Sequence, residues 1–550
     1  MEAVLESAQK QYDAIVIGAG FAGIYALYKL RHELGLTVRC FEKGSGVGGT
    51  WFWNRYPGAR TDTETRVYRY SFDKEIYGAW DWRSRFANQP EVLDYLRAIA
   101  RHYGLDEHIS LSTCVKSAVY DEAAKRWVVT TAAGDAYVCR YLLTAVGVLS
   151  KLHTPDIPGR ERFRGTVVHT ANWPEGLEVD GKRIGVVGTG STGVQLICAA
   201  AQRARHVTVF QRNAQYCVPA GDDLVSEQEI ADYKDNFDAI WRDIRGTRIA
   251  CGFRESDVPA MSVPQDERQR VFEENWQLGT GFRFMFGTFA DIASNEQANR
   301  EATRFIEAKI KAIVKDPDTA AKLIPDELYA KRPISINRYY EVYNQANVSL
   351  VSLKQTPIAA FTETGVRTAD GRVHELDVLA YATGFDTIVG SFKDLEVRGA
   401  NGLELQAHWK DEATSYMGVA TAHFPNFFMV PGPKSVFCNI PPGIEAQLDS
   451  IAALIRKAER EAAACIRVAP DAEHAWTETC NAFAAYTLLP KVKSWIFGAN
   501  IPDGKRQTLF YFGGLNTYRE TWAELAKGGF KGFLFEGAHE PVTSEQATQE

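Results

Sequence analysis

Two strand–glycine loop–helix signatures in one chain predict an α/β fold with two Rossmann-like dinucleotide-binding domains, and a charged, helix-forming stretch after the second predicts a helical insertion. The first signature is Tyr12-Asp-Ala-Ile-Val-Ile-Gly-Ala-Gly-Phe-Ala-Gly23 and the second is Arg183-Ile-Gly-Val-Val-Gly-Thr-Gly-Ser-Thr-Gly193. In each, a short apolar strand runs into G-x-G-x-x-G and an apolar-periodic helix follows. The glycines allow a tight turn and let backbone N–H groups approach a pyrophosphate at the helix N-terminus. Two dinucleotides in one chain imply that electrons pass from one to the other.

The first unit runs from about Tyr12 to Val148. Its second strand, Thr37-Val-Arg-Cys-Phe-Glu42, ends in a carboxylate suited to a neutral ribose diol. Further strands are expected at Trp127-Val-Val-Thr-Thr and Tyr141-Leu-Leu-Thr-Ala-Val. The Pro/Gly-rich connector Thr154-Pro-Asp-Ile-Pro-Gly159 reads as a boundary. The second unit occupies about 160–221, and its matching strand, His206-Val-Thr-Val-Phe-Gln-Arg212, ends in a guanidinium. A carboxylate there would repel a ribose 2′-phosphate, whereas an arginine binds it in a forked, charge-assisted geometry, which favours NADPH over NADH.

Residues 222–330 carry mostly helical apolar spacing and form the expected helical insertion. Val348-Ser-Leu-Val and Val366-Arg-Thr resume the second unit. Leu376-Asp-Val-Leu-Ala-Tyr-Ala-Thr-Gly-Phe-Asp386 is expected to be a strand returning the chain to the first fold, with a late carboxylate near the cofactor. The expected domains are therefore 1–150 with 381–550, 151–221 with 331–380, and the insertion 222–330. The last 15 or so residues are polar and expected to be disordered.

A hydrophobic content of 45% and a charged content of 24% exclude the disordered class. A net charge of −7 gives no reason to expect nucleic acid or an anionic membrane as partner. No apolar run approaches membrane-spanning length and the N-terminus lacks a basic start, so a cytoplasmic protein is expected, as a monomer. Nine scattered cysteines without a C-x-x-C argue against both a disulfide framework and the dithiol reductases that share the two-dinucleotide layout. No Cys/His cluster suggests a metal.

Between the two units stands Phe163-Arg-Gly-Thr-Val-Val-His169-Thr-Ala-Asn-Trp173-Pro174. The pattern F-x-G-x-x-x-H-x-x-x-W-P resembles the fingerprint of Baeyer–Villiger monooxygenases, closest to the cyclohexanone monooxygenase group. The resemblance extends to Gly48-Gly-Thr-Trp51, Tyr56-Pro-Gly-Ala-Arg-Thr-Asp62, Ala330-Lys-Arg332-Pro, Ala382-Thr-Gly-Phe-Asp386 and Ser494-Trp-Ile-Phe-Gly-Ala-Asn-Ile-Pro502. It implies a flavin enzyme that turns ketones into esters or lactones with O2 and NADPH. In that chemistry reduced FAD adds O2, and the deprotonated flavin peroxide attacks the carbonyl.

On this resemblance Arg332 is the catalytic arginine, a permanent cation that cannot serve as a proton donor, and Asp62 is the carboxylate that holds its head group. Such preorganised charge contributes on the order of 3–4 kcal/mol per key donor. His169 is expected to act in a hinge rather than in proton transfer. The implied flavin contacts are Gly18, Gly20, Phe21, Gly23, Glu42, Thr50, Trp51, Asp62, Tyr68, Val115 and Ile440. The implied NADP contacts are Arg60, Thr189, Gly190, Ser191, Thr192, Gly193, Val194, Gln195, Arg212, Lys331 and Arg332. Trp495 falls in a segment that resembles the family's mobile lid.

Two departures stand out. Over the expected substrate wall the group reads Gly-Pro-Asn-Gly-Pro-Phe-Thr-Asn-Leu-Pro, and this chain reads Gly432-Pro-Lys434-Ser-Val436-Phe-Cys438-Asn-Ile-Pro441, so a changed charge and volume are expected there. The lid has an extra Asp503. A heteroatom monooxygenase acting on nitrogen or sulfur is the nearest competing reading, and needs no equivalent of Arg332. A catalytically silent NADPH-sensing module is the remote one, disfavoured by Glu42, Asp62 and Arg332.

Overall fold

The computed structural model describes residues 10–221, 224–501 and 504–538. The polar tail beyond residue 538 and Asp503 of the lid lie outside the described residues.

The first sheet is centred on Lys10–Ile17, with Val38–Phe41 parallel on one side and Ala136–Thr144 parallel on the other. Ala14, Ile15 and Val16 are fully buried, as expected of an apolar strand covered on both faces. An antiparallel excursion, Val115–Asp121 and Arg126–Thr131, widens this sheet beyond Ala136–Thr144. Helix Phe21–Tyr28 follows the first strand without a side-chain cap at Gly20.

The second sheet is five-stranded and wholly parallel, in the order Val348–Ser352, His206–Gln211, Arg183–Val187, Val378–Tyr381, Thr166–His169. Here the expectation for 376–386 needs correction. Val378–Tyr381 does not return the chain to the first sheet but fills the second, paired on both sides. All four of its residues are buried, and such a continuous apolar run suits an interior strand. The chain rejoins the first sheet at Glu396–Arg398, parallel to Val115–Asp121, and again at Phe427–Met429, parallel to Ala136–Thr144. Asp386, the expected late carboxylate, instead pairs with Lys393 at 2.5 Å.

Between the second unit's halves lie six α-helices among the described residues, Glu227–Asp235, Phe237–Arg245, Gln265–Leu278, Gly281–Phe286, Glu296–Ile313 and Pro317–Leu323. Local chemistry starts them. Ser226 and Glu229 form a reciprocal capping box, and Asn295 and Asp316 cap the last two through their side chains. Their apolar faces divide between two cores. Phe237, Trp241 and Ile244 pack into the core of the first unit, whereas Phe272, Trp276, Phe284 and Phe305 pack into that of the second.

The fingerprint between the units is structural. A Cβ on Gly165 would lie 2.3 Å from the Phe163 ring and 2.7 Å from the Asp377 carbonyl, and the Trp173 indole donates to the Leu177 carbonyl. All nine cysteines are free. Among the described residues no group of side chains could hold a metal ion and no helix is long and apolar enough to cross a membrane.

Candidate active site

One cavity of about 2110 Å³ runs between the two sheets and touches both glycine loops. The residues present fit two dinucleotides. Helices Phe21–Tyr28 and Ser191–Arg203 both begin at this cavity, at Gly20 and Gly190, with no side chain capping their first N–H groups. Uncapped N-termini of this kind are open to an anion. Gly18 holds φ +103°, and a Cβ there would lie 2.4 Å from the Ala145 carbonyl oxygen. A Cβ on Gly190 would meet nothing within 4 Å, so that glycine leaves room for a ligand rather than for packing.

Glu42 ends its strand with the carboxylate oriented by two backbone donors, Ala19 N–H at 2.8 Å and Gly44 N–H at 2.7 Å. A carboxylate offers about four acceptor positions, so a ribose diol can still be received. Phe21, Thr50, Trp51, Tyr68, Val115 and Ile440 line the same end of the cavity. The Trp51 indole donates to the Tyr68 hydroxyl at 3.3 Å, and Tyr68 stands edge-on to Phe21. Ile440, 38% exposed at the head of helix Ile440–Arg460, presents an apolar side chain to the open space.

Arg332 and Asp62 meet in this cavity. Arg332 Nη1 donates to Asp62 Oδ2 at 2.6 Å and Nη2 to Oδ1 at 2.8 Å, a forked, charge-assisted pair. Arg332 Nη1 also donates to the Ser191 hydroxyl at 3.1 Å, and the guanidinium carbon lies 5.1 Å from the Phe282 ring. Burial works against the charge of Arg332, but the Asp62 carboxylate outweighs it, and the pKa lies above the ordinary arginine value. The head group is a fixed cation facing the cavity.

Against known proteins, the family model described as "Flavin-binding monooxygenase-like" matches residues 11–224. The chain is 58% identical to a phenazine N-monooxygenase of Lysobacter antibioticus, over 96% of this chain and 98% of that one. It is 47% identical to a cyclohexanone 1,2-monooxygenase of an Acinetobacter species, over 96% and 97%. A closed crystal structure of cyclohexanone monooxygenase superposes with a TM-score of 0.95 at 50% identity, covering 96% of this chain and all of that one. The chain belongs to the flavin-binding monooxygenase-like family.

On the second nucleotide side of this flavin monooxygenase, Arg212 is exposed at the end of its strand and Lys331 pairs with Glu327, and both line the cavity. Thr189 donates its hydroxyl to the Asn213 carbonyl at 2.9 Å. Gln195 ties the units together: its carbonyl accepts the Tyr56 hydroxyl at 2.8 Å, and its amide donates to the Arg60 carbonyl at 3.1 Å. Ser191, Thr192, Arg60 and Trp495 also face the cavity.

Three of the expected contacts do not line it. Gly23 and Gly193 sit where a Cβ would come within 1.8 Å of the Gly18 carbonyl oxygen and 2.2 Å of that of Gly188. Their role is to let each helix pack on its strand. Val194 is fully buried in the core of the second unit. His169 is likewise off the cavity wall; burial pushes its pKa down to about 4, and its Nδ1 accepts the Ala171 N–H at 3.2 Å.

The expected effect of Lys434 on the substrate wall needs correction. Its side chain is fully buried and points away from the cavity, pairing with Glu412 and donating to the Thr508 carbonyl at 2.8 Å. Its φ of +62° explains why the group has Asn there, a residue that tolerates left-handed backbone. The cavity wall is made by Val436, Phe437 and Cys438. Ile249 and Cys251, which also line it, carry no motif in the sequence and were not anticipated.

Proposed function

We propose that this flavin monooxygenase binds FAD and NADPH and oxidises ketones in the Baeyer–Villiger sense, placing one oxygen atom of O2 beside the carbonyl to give a lactone or ester. The observation that carries this reading is the forked Arg332–Asp62 pair inside the cavity. When bound, the reduced flavin supplies the activated oxygen. Attack on a carbonyl develops negative charge on oxygen, and Arg332 supplies a partly buried cation already oriented for it. Asp62 holds that cation, and Ser191 fixes its outer edge to the start of the second nucleotide helix. Arg212 and Lys331 supply two cations for a ribose 2′-phosphate, which supports NADPH.

N-oxidation of a flat aromatic heterocycle is the second reading. The 58% identity to a phenazine N-monooxygenase favours it. So does a cavity wall carrying Phe282, Phe437 and Trp495, which suits a planar ring. The deciding experiment incubates the protein with NADPH, O2 and either cyclohexanone or a phenazine. Both products gain one oxygen, so alkaline hydrolysis separates them: a lactone opens to a hydroxy acid and an N-oxide does not. Lactone formation supports the first reading, and N-oxide without any lactone overturns it.

A further inference from the structure

The cavity wall includes a small apolar cluster of Ile249, Cys251 and Phe282, backed by Phe253 and Phe286, whose Phe282 ring lies 5.1 Å from the Arg332 guanidinium. Two of the wall residues stand next in sequence to groups held by one carboxylate outside the cavity, Glu64. Arg66 has its Nε 2.7 Å from Glu64 Oε2 and donates through Nη2 to the carbonyl of Gly252, the neighbour of Cys251. Arg283, the neighbour of Phe282, has its Nη2 3.3 Å from Glu64 Oε1, and its guanidinium carbon lies 4.9 Å from the Phe253 ring. Arg85 approaches Glu64 Oε2 at 3.9 Å.

Glu64 is 5% exposed and cannot wander. Its segment is pinned to a second stretch of chain, with Thr61 N–H on the Ala87 carbonyl at 2.9 Å and Thr65 N–H on the Arg85 carbonyl at 2.8 Å. The same pinned segment carries Asp62. One stretch of backbone therefore fixes the cation through Asp62, and through Glu64 it fixes the apolar wall beside that cation. The desolvation of a buried carboxylate must be offset, and here Arg66 and Arg85 do so as ion pairs and Arg283 through a hydrogen bond to Oε1. Removing its charge would leave Arg66 and Arg283 facing each other without it, beside an Arg85 that keeps its pair with Glu229 at 2.9 Å.

We propose that Glu64 is a specificity-determining positioning residue: by holding Arg66 and Arg283 it sets where Cys251 and Phe282 stand beside Arg332, and so which substrates fit. This rests on the reading that the space beside Arg332 receives the substrate.

The test uses FAD-loaded protein carrying Glu64→Gln, which keeps shape and removes charge. Backbone amides of 249–253 and 281–286 are expected to exchange hydrogen faster, with the central strand Lys10–Ile17 unchanged. The ratio of kcat/KM between a small and a bulky substrate should shift about fivefold or more, the scale of a methylene-sized change in a pocket. NADPH oxidation without substrate should stay within about twofold of the parent, well below that scale. A uniform rise in exchange, or an unaltered substrate ratio, would overturn the proposal. Should Glu64→Gln not fold, Arg283→Met cuts only the strut to helix Gly281–Phe286, and an unaltered ratio in that variant overturns the proposal equally. Failure of the functional reading is separate, since the parent would then form no lactone while the exchange measurement still decides the role of Glu64.

Discussion

Arg332 and Asp62 lie 270 residues apart in sequence, yet share two parallel hydrogen bonds of 2.6 and 2.8 Å. The pair makes the cation part of the fold instead of a side chain recruited on demand. Orientation is set before a substrate arrives, so little reorganisation is left for the reaction to drive.

Arg332→Ala should lower ester formation by a factor of hundreds or more, about 3–4 kcal/mol, by removing a preorganised charge. Arg332→Lys keeps the charge and loses the fork, so it should recover only part of that loss. Steady-state lactone yield by gas chromatography measures both. Parental yield in the alanine variant would refute the role of Arg332.

Arg212→Ala and Lys331→Ala should each weaken NADPH by about 1.5–3 kcal/mol while leaving NADH nearly unaffected. The readout is the ratio of kcat/KM for the two nucleotides. If both variants keep the parental ratio, the 2′-phosphate lies elsewhere.

Lys434→Ala should cost stability, about 1–2 kcal/mol, because it removes the buried ammonium's hydrogen bond to the Thr508 carbonyl and its pair with the half-buried Glu412. Its substrate ratios should move less than those of Val436→Pro or Cys438→Thr, since Val436 and Cys438 line the cavity and Lys434 does not. Thermal unfolding and a panel of cyclic ketones separate the two effects. A large substrate shift in Lys434→Ala at unchanged Tm would contradict the buried orientation.

Glu445 gives a pH prediction. Burial pushes its pKa up to about 7, against the lowering effect of hydrogen bonds from Ser71, with Asp449 raising it further and Arg245 lowering it. The folded state therefore holds this proton more tightly than the unfolded chain. The resulting stability is complete below the unfolded carboxyl value near 4.5 and is lost as pH rises through 7. At most this amounts to roughly 3 kcal/mol. Glu445→Gln mimics the protonated form, so its Tm relative to the parent should rise between pH 5 and pH 8. A constant difference would show that Glu445 does not titrate in this range.

Local chemistry made the two nucleotide units legible from the sequence alone. A strand, its glycine turn and the following helix are contiguous, so Gly18, Gly20, Gly188 and Gly190 announce themselves through backbone demands that act within a dozen residues. The helix starts at Ser226, Asn295 and Asp316 are equally local. The identity of Arg332 and Asp62 came through family motifs, but their forked contact, and the third partner Ser191, required the chain to close on itself. Tertiary structure alone decided three further points. Val378–Tyr381 is apolar enough for either sheet, and the partners available on both sides put it in the second. Lys434 reads as a wall residue until its left-handed backbone turns the side chain inward toward Glu412. Glu64 has no motif at all, because its significance lies in which three guanidiniums converge on it, and convergence of distant segments leaves no periodic trace in a sequence.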